Sequence, residues 1–269
     1  MKKIFQIKEE RSGDLIQPML QIRAGENHFS AAITDHASGE LERLVYYLDP
    51  EGISVGALRE VIDQEIAAAI SFYQVIICYD FPGHALVPSN GFRQEEASLF
   101  QPAATPASVV ITESIPEWQL YNVYPVPVEL HQYFNSRFPT AQYRNQFTAG
   151  LKKLELSSRE GSLLIDIRHH DFSVMAAKAG KLLLAQTYEY SVPDDIIYYL
   201  LRICRQFELS QQEVVLNLSG LIDQDSALYK ELFQYFIHLG FRDSSWKGLG
   251  RDFPAHFFTS LNDIEQCVS

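Results

Sequence analysis

The stretch Leu163-Leu164-Ile165-Asp166-Ile167-Arg168-His169-His170-Asp171-Phe172-Ser173-Val174-Met175-Ala176-Ala177-Lys178-Ala179-Gly180-Lys181-Leu182-Leu183-Leu184-Ala185-Gln186-Thr187-Tyr188 decides the fold. Leu163 to Arg168 reads as a strand and Phe172 to Ala177 as its hairpin partner. Lys181 to Tyr188 reads as a third strand, after the turn Lys178–Ala179–Gly180. A helix is expected from Pro193 to Phe207. Pro193 is tolerated in its first turn, and Asp194 and Asp195 suit its dipole. Its apolar stripe is Ile196, Ile197, Leu200, Leu201, Cys204 and Phe207. The strand Val214–Leu218 closes the unit.

Working backwards, the first half shows the same order. Leu15 to Arg23, His28 to Thr34 and Leu41 to Leu48 read as three strands. A helix from Ser54 to about Ile70 follows, then the apolar strand Val75–Tyr79. Residue identities align Ile22–Arg23 with Ile167–Arg168, Phe29–Ser30 with Phe172–Ser173, Gly39 with Gly180 and Tyr47 with Tyr188. The order β-β-β-α-β has a mechanical meaning. Two tight hairpins make an antiparallel meander, and the helix crosses over so that the last strand lies parallel to the first. That is the unit of the ribonuclease H-like fold, present twice in an α/β chain.

Between the repeats, Gln94 to Phe100 reads as a short helix and Gln101 to Pro106 as a loop. Ser108 to Ile115 and Glu117 to Val126 read as strands broken by Pro116. Pro125 and Pro127 mark an edge or a strand end. Glu129 to Phe138 reads as a helix, and Phe147, Leu151 and Leu154 mark another. The polar strip Ser157–Gly161 is the expected boundary. It divides the chain into domains 1–158, with an insertion around 92–120, and 159–269. Beyond the second repeat, Leu228, Leu232, Phe236 and Leu239 mark a helix closed by Gly240, and one more short helix is expected in the tail.

Composition limits the chemistry. The 269 residues hold 14 glycines, with no Gly-x-x-x-x-Gly-Lys-Ser/Thr loop. Gly248–Gly250 is followed by Phe253 where a dinucleotide fingerprint needs a third glycine. A net charge of −12, from 22 basic and 34 acidic residues, repels phosphate backbones and argues against nucleic acid. Cys78 and Cys204 sit in apolar runs, and with Cys267 they offer neither a disulfide framework nor zinc spacing. The charged N-terminus lacks a signal-peptide core, and no apolar run approaches the roughly 20 residues of a membrane span. A cytoplasmic protein is expected.

The stretch Leu164–Phe172, then Gly180–Lys181–Leu182, Tyr188–Glu189–Tyr190, Asp195 and Tyr198–Leu201, resembles domain-of-unknown-function family 3822, found largely in Bacteroidetes. So do Leu218–Ser219–Gly220, Ser226, Leu228–Tyr229, Leu232 and Tyr235. The resemblance implies an actin-like ATPase fold, with two ribonuclease H-like domains facing a cleft. It implies no reaction.

Active actin-like ATPases and sugar kinases carry an Asp-x-Gly turn in the first hairpin of each domain, where phosphates and Mg²⁺ approach the backbone. A Gly-Gly pair follows the last repeat strand of their second domain, against the adenosine. Here the first hairpin has Gln21 where an acid is wanted, and the second has Asp166 but no glycine. Leu218–Ser219–Gly220–Leu221 holds one glycine only. Arg23, Asp166, Arg168, Ser219 and Gly220 are the cleft candidates for a cofactor. Arg23 and Arg168 could bind an anion there, although solvated turn residues are the expectation.

Two-metal nucleases need several carboxylates around ions about 4 Å apart. Asp166 has no acid partner at Asn217–Leu218–Ser219, with Asp223 coming later, and Asp80 ends a strand beside one that carries Gln21. His169–His170–Asp171 reads as a polar turn, because neighbours on a strand point to opposite faces and would not converge on a metal. His84 reads as a structural loop histidine, and no Gly-x-Ser-x-Gly elbow occurs. The aromatic band Trp118, Tyr121, Tyr124, Tyr133, Phe134 and Phe138 reads mostly as core, with any exposed remainder suited to a protein partner. The expectation is therefore an actin-like binding or assembly module with no catalytic residue and no metal. The alternative is an atypical ATP- and magnesium-binding ATPase or phosphotransferase using the cleft.

Overall fold

The computed structural model describes residues 1–8, 15–66, 71–101, 104–249 and 253–265. Residues 67–70 of the first expected helix, Pro102 and Ala103 of the loop, Gly250 and Cys267 lie outside the described residues. The chain forms two compact units. Unit 1 comprises Met1–Ala149, Ser245–Gly250 and Ile264–Ser269, and unit 2 comprises Gly150–Ser244 and Arg251–Asp263. The polar strip Ser157–Gly161 lies inside unit 2.

In unit 1 the strands β1 (Lys2–Lys8), β2 (Pro18–Gly25), β3 (His28–Asp35) and β4 (Glu40–Leu48) precede helix α1 (Val55–Glu65) and strand β5 (Gln74–Asp80). Ser54 caps α1 by accepting from Ala57 N. The helix ends on its cap Ile66, which is extended. A three-stranded sheet follows, from β6 (Ala85–Pro88), β7 (Ser108–Ile115) and β8 (Leu120–Pro127), with β8 in the middle. Then come α2 (Val128–Arg137), β9 (Gln142–Asn145) and α3 (Gln146–Leu151). The large sheet has the order β1-β4-β3-β2-β5-β9. Pairs β2/β3 and β3/β4 are antiparallel, and β2/β5 and β5/β9 are parallel. Lys247 returns to this unit, donating to Gly39 O and accepting from Leu41 N.

Unit 2 contains β10 (Ser162–Ile167), β11 (Asp171–Lys178), β12 (Lys181–Glu189), α4 (Pro193–Gln206), β13 (Val215–Gly220), α5 (Ala227–Tyr235), β14 (His238–Phe241) and α6 (Thr259–Glu265), which runs on into Ile264 and Glu265 of unit 1. Its sheet order is β12-β11-β10-β13-β14, antiparallel through β12, β11 and β10 and parallel through β10, β13 and β14. The order and strand directions match those of β4-β3-β2-β5-β9. The expected helix through Leu239 ends earlier. Phe236 is its extended cap, and Leu239 and Gly240 belong to β14, which pairs with β13.

Each sheet buries an apolar face against its helices. Leu20, Ile22, Leu58, Ile62 and Ile77 meet in unit 1, and Leu163, Ile165, Ile196, Leu200 and Leu216 in unit 2. Cys78 and Cys204 are buried, and burial pushes the Cys204 thiol up to about 11, as expected of core thiols. Among the described residues no helix is long and apolar enough to cross a membrane.

Register corrects the alignment of the two halves. Arg23 pairs with Ser30, and Ser173 pairs with Asp166. With Phe29 matched to Phe172, the counterpart of Arg23 is Asp166, and that of Gly25 is Arg168. Matching Ile22–Arg23 to Ile167–Arg168 slips the strand by two residues. A slip of two keeps every side chain on its own face, so the pattern of apolar residues cannot reveal it.

Candidate functional site

In unit 1 the first hairpin ends in a buried ion cluster. Arg23 lies inside β2 and is 8% exposed. Its Nε and Nη2 donate to Asp80 Oδ2, at 2.7 and 2.6 Å. His28 Nε2 lies 2.8 Å from the same oxygen. Asp80 ends β5, the parallel neighbour of β2, and reaches Arg23 across the ladder. A buried guanidinium without a carboxylate would be expensive, so the pair is obligatory once Arg23 is placed there. Gly25 is required beside it. A Cβ on Gly25 would stand 2.3 Å from His28 Cε1 and 2.8 Å from Asp80 O. The bare side of this glycine is filled by the His28 ring.

The second hairpin forms its own cluster. Arg168 is 5% exposed. Its Nη1 lies 3.3 Å from Asp166 Oδ2, and its Nε and Nη2 donate to Asp171 Oδ1. Ser219 Oγ lies 3.0 Å from Asp166 Oδ1, to which Ser260 of α6 also donates. Tyr190 OH donates to Arg168 O at 2.6 Å, fixing the turn. Gly220 has φ +86°, and a Cβ there would meet Ile167 O at 2.1 Å. Its bareness serves the close approach of β13 to β10, where Leu221 N donates to Ile167 O at 2.7 Å.

Of the five cleft candidates, Asp166, Arg168 and Ser219 thus meet in one cluster, and Gly220 is the backbone joint next to it. Arg23 belongs to the unit 1 cluster. Neither arginine is a solvated turn residue. The pattern that betrays them is a charged residue within an apolar strand, which needs a buried counter-ion. Asp80 and Asp171 are those partners, and neither was assigned that part from the sequence.

A further acid also escapes the sequence reading. Asp263 of α6 accepts from Arg242 Nη2 at 2.5 Å. Burial raises its carboxyl above the usual range. Arg242 and Lys153 oppose that shift, and the negative charge of Asp166 adds to it. Asp166 and Asp263 therefore lie in one electrostatic neighbourhood, but each is already ion-paired. Among the described residues no three His, Cys, Asp or Glu side chains gather as a metal-binding group. His169 and His170 sit in the turn rather than on a strand, with ring centroids 4.4 Å apart. Burial and the neighbouring His170 both lower the His169 pKa.

Unit 1 holds two further features. Two adjoining cavities, of about 780 and 370 Å³, share Glu26, Ile53, Phe81, Ala107 and Pro127 in their walls. Glu51 and Glu129 stand with Glu26 at the exposed margins of this groove. Elsewhere, Tyr124 OH donates to Glu113, and Asn122 Nδ2 donates to Asn145 Oδ1 and Thr148 Oγ1, at 3.0 and 3.1 Å. Burial pushes the Glu113 carboxyl up to about 7, against the Tyr124 hydrogen bond and the nearby Arg144 charge.

The structure is similar to a protein of Bacteroides thetaiotaomicron VPI-5482 with an actin-like ATPase fold and unknown function. The identity is 21%, over 85% of this chain and 91% of that chain, with a TM-score of 0.73. It is also similar to the PilM–PilN type IV pilus biogenesis complex, at 14% identity over 95% of this chain and 100% of that chain, with a TM-score of 0.59. At these identities the likeness is one of fold: the chain has the actin-like ATPase fold. No curated protein matches it. The model of DUF3822, a family of proteins of unknown function, matches residues 14–239. On that match, spanning most of its length, the chain belongs to the DUF3822 family.

Proposed function

We infer that this chain is an actin-like module that binds a protein partner and does not turn over nucleotide. One observation carries the reading: at both hairpins an arginine is held by carboxylates of its own unit, at the positions where active relatives open to phosphate. The residues do not fit ATP and magnesium. Asp166 Oδ1 accepts from serine hydroxyls and Oδ2 faces Arg168, so a magnesium ion would have to displace these donors. In unit 1 the acid position is Arg23, and the space beside Gly25 holds His28.

The groove supports a protein partner. Its lining includes apolar Ile53, Phe81 and Pro127, and its margin carries three carboxylates. An extended segment with an apolar side chain and a lysine or arginine suits both. One structural neighbour comes from a protein–protein complex, which is in keeping with this use of the fold. The test is phosphate release from ATP with magnesium, measured on the full chain and on Asp166→Asn. The expected result is no release above buffer for either. Magnesium-dependent release by the wild type, lost in Asp166→Asn, would overturn the reading.

A further inference from the structure

One sheet edge has opposite fates in the two units. In unit 1 the outer edge of β4 is covered by β1, paired antiparallel from Lys2–Leu48 to Lys8–Arg43 with an irregularity between Lys3 and Phe5. Strand β12 is the counterpart of β4, since Tyr47 pairs with Phe29 and Tyr188 with Phe172. Both strands carry a bulge at the same point, Glu42 in β4 and Leu183 in β12. Among the described residues the β1 ladder ends on the pair Lys8–Arg43, beside that bulge. The equivalent rail of β12 is therefore Leu184 to Glu189. Among the described residues no strand pairs with it.

An edge with open N–H and C=O groups is a template for another strand. The run Leu184–Ala185–Gln186–Thr187–Tyr188 carries no charge, in a chain whose net charge is −12. Gln186 is exposed, although its partner Val174 in β11 is fully buried. Within the rail, Tyr188 stacks on Tyr199 of α4, with ring centroids 4.5 Å apart. Tyr198 packs edge-on against Tyr199 and is itself 57% exposed. Apolar surface thus continues from the rail onto the helix.

We propose that β12 pairs with β12 of a second copy, antiparallel about a two-fold axis at Gln186. The register sets Gln186 against the second copy's Gln186, Leu184 against Tyr188, and Ala185 against Thr187. It is self-complementary. Aliphatic meets aromatic on either side of two amides, each able to donate and accept. Moving the axis to Thr187 sets Glu189 against Ala185 and loses the Leu184–Tyr188 pairs. The uncharged run Leu184–Tyr188 also lets two strongly acidic molecules meet there without like charges in contact, Glu189 lying beyond the paired residues. This contact extends the binding role proposed above and does not depend on nucleotide.

The test is sedimentation equilibrium of the full chain, Gln186→Glu, Gln186→Lys and an equimolar mixture of the two variants. Gln186 is exposed, and circular dichroism checks that both variants fold. Wild type should dimerise. Each variant should dimerise at least about tenfold more weakly, because like charges face each other at the axis. The mixture should recover association as a heterodimer. A wild type that stays monomeric, including one whose rail serves a different protein, overturns the proposal. So does a dimer indifferent to both charges, or a mixture that fails to recover.

Discussion

Set against the Asp-x-Gly turn expected of active actin-like relatives, the hairpin of unit 1 and the hairpin of unit 2 depart in opposite ways. Matched by register, unit 1 reads Arg23–Ala24–Gly25 and unit 2 reads Asp166–Ile167–Arg168. Unit 1 keeps the glycine and has an arginine for the acid. Unit 2 keeps the acid and has an arginine for the glycine. Each arginine has found a counter-ion, but by different routes. Arg23 reaches Asp80, 57 residues away in the chain. Arg168 pairs with Asp166 and Asp171, two and three residues away. The first cluster ties three strands together, whereas the second closes mainly on its own hairpin.

This difference predicts unequal costs. Asp80→Asn leaves Arg23 buried without its carboxylate and should destabilise the chain by about 3–5 kcal/mol. Asp171→Asn leaves Arg168 beside Asp166 and should cost about 1 kcal/mol. Urea unfolding of the two variants measures both, and equal losses would break the comparison. Next in size is Gly25→Ala. Its Cβ must push against the backbone oxygen of Asp80 as well as the His28 ring, and a loss of about 2–3 kcal/mol is expected. Gly180→Ala, at φ +79° in open space, carries only backbone strain and should cost about 1 kcal/mol.

A third contrast concerns the small sheet β6-β8-β7, which belongs to unit 1. Folding raises the Glu113 carboxyl from its ordinary value to about 7. The folded chain therefore holds a proton there that the unfolded chain releases at lower pH. That stabilisation is complete below the unfolded value and is lost as pH rises through about 7. Between about pH 5 and 8 the wild type should lose roughly 1–3 kcal/mol relative to Glu113→Gln. Parallel stability curves for the two proteins would show that Glu113 titrates normally.

Much of the fold was legible because alternation and helical period repeat in one order. What was missed is instructive. Strand β9, Gln142–Asn145, is four mostly polar residues, and β6 is equally short. Strand β14 hid because Leu239 extends the spacing of Leu228, Leu232 and Phe236, and only pairing with β13 makes it a strand. At the hairpins the residue types were visible, but the repeated Ile-Arg dipeptide set the wrong alignment. The partner of Arg23 depends on which residues of β2 and β5 stand side by side. That register is fixed by tertiary packing.

The central claim is that these two hairpins are closed by their own ion pairs and do not hold nucleotide. Thermal unfolding of the full chain across a titration of Mg–ATP into the millimolar range tests it most directly, since a ligand bound only by the folded chain must raise Tm. The account predicts a melting temperature that does not move. A saturable, magnesium-dependent rise that disappears in Asp166→Asn would contradict it.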